Sequence, residues 1–432
     1  MELPEAFESY TRGLMGEQLY RQFREGLDQP SPVSIRFNPF KYTLDTKDIP
    51  DSKSEVPWCR SGIYLKQRPA FTFDPLLHAG VYYVQEASSM FLDHVLRQVI
   101  DHPVTVLDLC AAPGGKTTCA MSALPQGSLL FSNEPIRNRA QILNENVLKF
   151  GHPDIIVTNN YAKDYQQSGI QFDLILTDVP CSGEGMFRKD ENAIREWSTG
   201  KVEQCRMLQR EIVSDIWHCL KPGGILIYST CTFNSLEDEE NVLWITSQLG
   251  ADFIPIKTPQ EWNITGALLP KPDTSQKPLP VYRFIPGKTK GEGLFMAVLK
   301  KHGTDTSAER PSWKALEKRA ARSLHILSHG IRPDERKGKS LVPDISKALS
   351  LRSDKDAYPK INVSYTQAIA YLRKEVLTLP PDSPTGFVLI CYQDFPLGFA
   401  KNIGHRANNL YPKEWKINST HIPTENNKII NI

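Results

Sequence analysis

No Cys-x-x-Cys pair occurs in the 432 residues, and the eight cysteines, at positions 59, 110, 119, 181, 205, 219, 231 and 391, are sparse and irregularly spaced. A disulfide scaffold and a structural zinc site are both excluded on that ground. Charge of one sign is also lacking: 51 Lys and Arg stand against 49 acids, a net charge of +2 that argues only weakly for a polyanionic partner. No apolar run reaches the roughly 18 residues of a membrane span. The opening Met-Glu-Leu-Pro-Glu shows no basic segment followed by an apolar one. Internal repeats and extended low-complexity runs are absent as well. Together these absences predict a cytoplasmic chain with no metal and no membrane partner, in a reducing compartment where free thiols persist.

What is present is enough apolar sequence, in a chain of this length, for two or three domains. Residues 5–26 read as a helical opening, Ser34 to Asn38 as a short strand and Trp58 to Gly80 as irregular structure. Tyr82 to Met90 then runs into an amphipathic helix through Arg97. From Val104 short apolar strands alternate with helical stretches, which predicts an open, mostly parallel α/β sheet. Strands are expected at 104–109, 128–133, 155–158, 172–177 and 225–229, with helices at 116–123, 136–150 and 202–220 between them. Lys221-Pro-Gly-Gly224 reads as a helix stop and turn. A helix over 237–249 and a closing hairpin, 281–285 with 294–299, complete this region. Between Lys300 and Lys339, 11 Lys or Arg face 5 acids, so the basic surplus lies in one segment, which includes a helix expected over 313–327. A compact end unit is expected from about Ile361.

Leu107 to Thr118, Leu-Asp-Leu-Cys-Ala-Ala-Pro-Gly-Gly-Lys-Thr-Thr, joins the first strand of the α/β region to its helix, where such sheets bind nucleotide-like ligands. A phosphate-binding P-loop would need glycine where Cys110 stands, and Gly-x-Gly-x-x-Gly is absent. What remains is a loop of small residues that lets backbone approach a ligand, with Glu134 at the end of the next strand placed to accept hydrogen bonds from ribose hydroxyls. A ligand with ribose but no required phosphate points to S-adenosylmethionine.

Asp178-Val-Pro-Cys181 follows a second apolar strand, and Cys231 ends a third. Carbon 5 of cytosine is too poor a nucleophile to take a methyl group until a thiolate adds at carbon 6. Such chemistry needs a thiolate, a carboxylate to hold the base edge and a group that helps remove the carbon 5 proton. Asp178, Cys181 and Cys231 supply those residue types, but spacing does not choose between the thiols. Buried cysteines are more often inert packing, the expectation for Cys110, Cys119, Cys205, Cys219 and Cys391.

Cys110-Ala-Ala-Pro-Gly-Gly-Lys116, Asp178-Val-Pro-Cys-Ser-Gly-Glu-Gly185 and Ser229-Thr-Cys-Thr232 occur in the order in which they are found in the Sun-type (Fmu) family of RNA cytosine-5 methyltransferases, which this chain closely resembles. The resemblance implies a class I, Rossmann-like S-adenosylmethionine methyltransferase core. It implies a cofactor loop of Cys110, Ala111, Ala112, Pro113, Gly114, Gly115 and Lys116, with Glu134 toward the ribose and Asp178 close to both cofactor and base. Cys231 is then the nucleophile, Cys181 assists release of the methylated base, and Lys116 lies near base and cofactor. The family often has an aspartate after the third strand; here the sequence is Asn160-Tyr-Ala-Lys-Asp164, so the adenine-side contact is unassigned.

Pro32-Val-Ser-Ile-Arg36, Gln85-Glu-Ala-Ser-Ser89 and Gly183-Glu-Gly-Met-Phe187 resemble the branch acting on bacterial small-subunit ribosomal RNA. Lys401-Asn-Ile-Gly404 and Asn409-Leu-Tyr-Pro412 are weakly similar to its PUA-like end domain. The division expected is an RNA-contacting α+β extension over 1–85, the methyltransferase domain over 86–301, a basic intermediate segment over 302–359 and a small PUA-like RNA-binding domain over 360–432. The expected partner is ribosomal RNA, free or within an assembled 30S subunit, and the expected state is a monomer. Transfer RNA is the alternative substrate. A non-catalytic RNA-binding assembly factor is the alternative class.

Overall fold

The computed structural model describes all residues except 44–48, 50–51, 270–277, 306–310, 339, 420–428 and 431–432. The N-terminal helix Glu5–Leu27 breaks at Gly16, whose φ of 72° interrupts the helical path. After it comes a four-stranded sheet of β1 (Val33–Phe37), β2 (Ser52–Glu55), β3 (Gly62–Leu65) and β4 (Tyr82–Val84) in the order β2-β3-β1-β4. The stretch read as irregular thus contains β3, buried along its whole length.

The central sheet holds β5 (Thr105–Asp108), β6 (Leu129–Asn133), β7 (Ile155–Thr158), β8 (Phe172–Asp178), β9 (Leu220–Thr230), β10 (Ala251–Phe253), β11 (Val281–Phe284), β12 (Leu294–Lys301) and β13 (Ile326–His329). Its order is β10-β12-β9-β8-β5-β6-β7-β13, with β11 paired to β12. Strands β5 to β9 are mutually parallel, and β10 to β13 join antiparallel. Helices cover both faces, so these strands are apolar nearly throughout: Val106, Leu130, Ile155 and Leu174 pack on one side, Leu107, Phe131, Ile156 and Ile175 on the other. Because β6 and β8 flank β5, the chain reverses its direction of travel there and opens a crevice at the carboxyl ends of these strands.

Three further details differ from the sequence expectation. Lys221-Pro-Gly-Gly224 does not turn away but opens β9: Gly223 takes a φ of 73° and the register against β8 shifts between Phe172 and Leu174, so the strand runs on through a bulge. The expected helix over 237–249 begins at Glu239 and continues from Ile245 in wider π-helical turns. The basic segment is built into the sheet. Its helix, Trp313–Ser323, docks through buried Leu316 and Ala320, and β13 then pairs with the edge of β7. Arg310 and Lys339 of that segment lie outside the described residues.

The end unit is a four-stranded sheet, Lys360–Asn362, Gly386–Tyr392, Phe395–Asn402 and Ala407–Asn409, with helix Tyr365–Leu372 started by a capping box of Ser364 and Gln367. It shares one apolar core with the N-terminal sheet, Ile35, Phe37 and Leu76 meeting Ile369, Leu372 and Leu397. Among the described residues no helix is long and apolar enough to cross a membrane.

Candidate active site

Four of the residues singled out for chemistry fall at the carboxyl ends of parallel strands. Cys110 follows β5, Glu134 follows β6, Asp178 ends β8 and Cys231 follows β9. Pairing sets the register of the last two: Asp178 lies opposite Ser229, and Ser229 Oγ donates to Asp178 Oδ1 at 2.9 Å. The loops leaving β8 and β9 therefore start side by side, and their thiols meet, with Cys181 Sγ 3.0 Å from Cys231 Sγ. Gly185 N donates to Cys231 O at 2.7 Å, and a Cβ on Gly185 would stand only 2.9 Å from that oxygen and from Gly293 O, so glycine permits the approach.

Lys116 reaches across from the helix Gly115–Ala123 and sets its Nζ 2.8 Å from Asp178 Oδ2. Burial would lower the ammonium's pKa, but the Asp178 carboxylate outweighs it and holds the lysine above its ordinary value, hence charged. The facing Cys231 sulfur, then burial, push the Cys181 thiol well up, so it keeps its proton near neutrality. Cys110 is a different case. Its thiol is raised by burial first and then by Glu134, Asp108 and Asp178, which leaves it inert. Of the other cysteines, Cys59, Cys119, Cys219 and Cys391 are buried and Cys205 is half-buried.

Ala111, Ala112, Pro113 and Gly114 carry the chain from β5 into the helix; the Ala112–Pro113 peptide is cis and Gly114 has a φ of 111°. Two carboxylate oxygens around this loop are buried without a hydrogen-bond partner, Asp108 Oδ1 and Glu134 Oε2. Thr117 Oγ1 donates to Asp108 Oδ2 at 2.7 Å, and burial lifts the Asp108 carboxyl to about 7. Glu134 Oε1 accepts from Ile136 N at 3.0 Å, while Arg139 stands 3.6 Å from Oε2. Beside them opens a cleft of about 570 Å³ lined by Cys110, Asn133, Ile136, Arg139, Asn160 and Pro180. A nucleoside bearing hydroxyl and ammonium donors fits this set, since those donors would satisfy both orphaned oxygens. The Asn160 side chain exchanges hydrogen bonds with the backbone of His325 just ahead of β13, at 3.0 and 3.3 Å.

Asp108 was not singled out from sequence, although a carboxylate ending an apolar strand inside the glycine loop was a usable signal. Nor were Glu184 and Glu237, whose carboxylates lie beneath the two thiol loops. Glu184 sits inside the Pro-Cys motif, but Glu237 reads as an ordinary acidic helix start.

Three family models match the chain: 16S rRNA methyltransferase RsmB/F over residues 98–300, the N-terminal domain of 16S rRNA methyltransferase RsmF over 3–87, and the methyltransferase RsmF PUA domain over 358–417. The chain belongs to the RsmB/F methyltransferase family. It is an S-adenosylmethionine-dependent RNA methyltransferase. Among relatives of this RsmB/F chain, the ribosomal RNA small subunit methyltransferase F of Enterobacter sp. (strain 638) is 27% identical over 95% of both chains. That of Salmonella heidelberg (strain SL476) is 28% identical over 95% of this chain and 96% of the relative. Two solved structures share the fold. A methyltransferase homolog protein from Pyrococcus horikoshii has a TM-score of 0.56 at 24% identity, over 69% of this chain and 95% of that one. NSun6 from Pyrococcus horikoshii with SFG has a TM-score of 0.56 at 20% identity, over 70% of this chain and 99% of that one.

Proposed function

We propose that this RsmB/F enzyme forms 5-methylcytosine in small-subunit ribosomal RNA, through a covalent adduct between Cys231 and carbon 6 of the target base. The observation that carries the proposal is the convergence of Cys231, Cys181 and the Lys116–Asp178 pair at the carboxyl ends of β8 and β9. Relatives named ribosomal RNA small subunit methyltransferase F, aligned over nearly the whole chain, support the RNA class.

Each residue has a role that its position supports. The Cys231 sulfur, as thiolate, adds to carbon 6 and leaves carbon 5 as the nucleophilic end of an enamine. Bound S-adenosylmethionine supplies the electrophilic methyl group. Asp178, steadied by Ser229 and Lys116, accepts hydrogen bonds from the base edge, while the Lys116 ammonium balances charge on the ring. A water molecule takes the carbon 5 proton as the ring double bond re-forms and the carbon–sulfur bond breaks, and Cys231 leaves as thiolate. Cys181, held protonated against the Cys231 sulfur, assists that departure by donating to the leaving thiolate. The target base has to leave its stack to enter the pocket.

We assign RNA contact to the exposed basic face of the helix Trp313–Ser323, Lys314, Lys318, Arg319 and Arg322, and to the PUA domain, gripping phosphates without reading sequence. The enzyme acts as a cytoplasmic monomer. Radiolabelled cofactor with naked small-subunit RNA, assembled 30S subunits and transfer RNA, followed by bisulfite sequencing, tests the proposal. Label at cytosine 5 of small-subunit RNA is expected; label on transfer RNA alone, or on no RNA, contradicts it.

A further inference from the structure

The loops carrying the two thiols are tied by a crossed pair of buried carboxylates. Glu184, three residues after Cys181, accepts from the backbone of the other loop: Phe233 N at 2.7 Å and Asn234 N at 3.1 Å on Oε2, with Asn234 Nδ2 and Trp197 Nε1 at 3.0 Å on Oε1. Glu237, six residues after Cys231, does the converse. It accepts from Ser182 N at 3.0 Å and from Ser182 Oγ in the Pro-Cys loop, from Gln209 Nε2 at 2.7 Å, and from Asn234 Nδ2 at 2.9 Å. Gln209 Nε2 also donates to Pro180 O at 2.9 Å, so the peptides on both sides of Cys181 are held.

Glu184 is 1% exposed and Glu237 fully buried, and among the described residues neither has an ion-pair partner. Burying two carboxylates side by side without a cation is costly unless every oxygen is satisfied, as these are. The neighbouring acids show the ordinary alternative: Asp238 and Glu239 are compensated by the buried Arg283 guanidinium. Burial and the charge of Glu237 raise the Glu184 carboxyl to about 7, against the pull of its four donors.

We infer that Glu184 and Glu237 are crossed positioning residues, Glu237 holding Cys181 in place for release of the base and Glu184 holding Cys231 in place for attack. The inference rests on the proposed covalent mechanism and its division of roles. The consequence is that each acid controls the step of the cysteine farther from it in sequence. A displacement of about 1 Å at a reacting atom costs on the order of 10²-fold in rate.

The test is adduct trapping with the full-length enzyme, RNA and cofactor, scored on denaturing gels beside single-turnover methyl transfer, for Glu184→Ala and Glu237→Ala with Cys181→Ala and Cys231→Ala as references. Glu237→Ala is expected to accumulate adduct and slow product release by roughly 10-fold or more, as Cys181→Ala does. Glu184→Ala is expected to slow adduct formation by a similar factor without accumulation. Glu184→Gln and Glu237→Gln keep the volume and carry the same expectations at smaller size, and unchanged cofactor affinity certifies the fold. The reverse pattern, or equal loss of both steps in both variants, overturns the inference. If Cys181→Ala itself accumulates no adduct, the mechanism beneath it has failed and the inference falls for that separate reason.

Discussion

Lys116 Nζ lies 2.8 Å from Asp178 Oδ2, which joins the helix after β5 to the end of β8. The pair gives the site a charged hydrogen-bond acceptor whose position is fixed from two sides, by Lys116 and by Ser229. Asp178→Asn preserves the shape and removes the charge. Single-turnover methyl transfer should fall by about 10²- to 10⁴-fold, while the melting temperature stays near that of the wild type. Transfer within a few-fold of wild type would show that the carboxylate is not needed.

Glu134 Oε2 is buried without a hydrogen-bond partner beside the cleft, an arrangement expected to favour a ligand donor there. Glu134→Gln should weaken S-adenosylmethionine binding by about 10- to 100-fold, the loss expected for one or two hydrogen bonds to a charged group at ~1.5–3 kcal/mol. Isothermal calorimetry measures it without any RNA, and an unchanged affinity would remove Glu134 from the cofactor site.

Asp108 connects the site to pH. Its carboxyl is raised to about 7 in the fold, against an ordinary value of 3.8, because ionisation would bury a charge near Asp178 and Glu134. The folded pKa exceeds the unfolded one, so this group's contribution to stability is fully present below about pH 4 and is lost as pH rises through about 7. Asp108→Asn should therefore flatten the fall in melting temperature of the cofactor-free protein between about pH 4 and 7. An identical pH profile in both proteins would contradict the assignment.

The basic face of the helix Trp313–Ser323 is free to meet a polyanion because Leu316 and Ala320 anchor the opposite side. Charge reversal at Lys314, Lys318, Arg319 and Arg322 should weaken RNA binding and flatten its dependence on salt, by about 0.7 in the log–log slope for each phosphate of a single strand that the helix no longer neutralises. Unchanged affinity and slope would return the helix to a purely structural role.

Much of this site was legible in the sequence because parallel strands buried on both faces leave continuous apolar runs, and β5 to β8 stood out between their helices. The loop 110–116, Glu134, Asp178, Cys181 and Cys231 stood out as residues that follow or end those strands. Strand β13 was not legible: four residues in a polar stretch carry no pattern of their own, and only the open edge of β7 makes them a strand. Lys221-Pro-Gly-Gly224 misled because the same residues that stop a helix can also form a bulge. The helix expected from Glu237 starts at Glu239, since the carboxylates of Glu237 and Asp238 turn inward to bind Ser182, Thr230 and Arg283. Spacing alone left the two thiols equivalent, and their approach at 3.0 Å is symmetric; the family motifs separate their roles.

The central claim is that Cys231 attacks and Cys181 releases. Incubating wild type, Cys231→Ala and Cys181→Ala with cofactor and small-subunit RNA, then resolving protein–RNA adducts on denaturing gels, tests it directly. A stable adduct that accumulates in Cys181→Ala, is transient in the wild type and is missing from Cys231→Ala is the expected result. An adduct formed by Cys231→Ala would contradict the account.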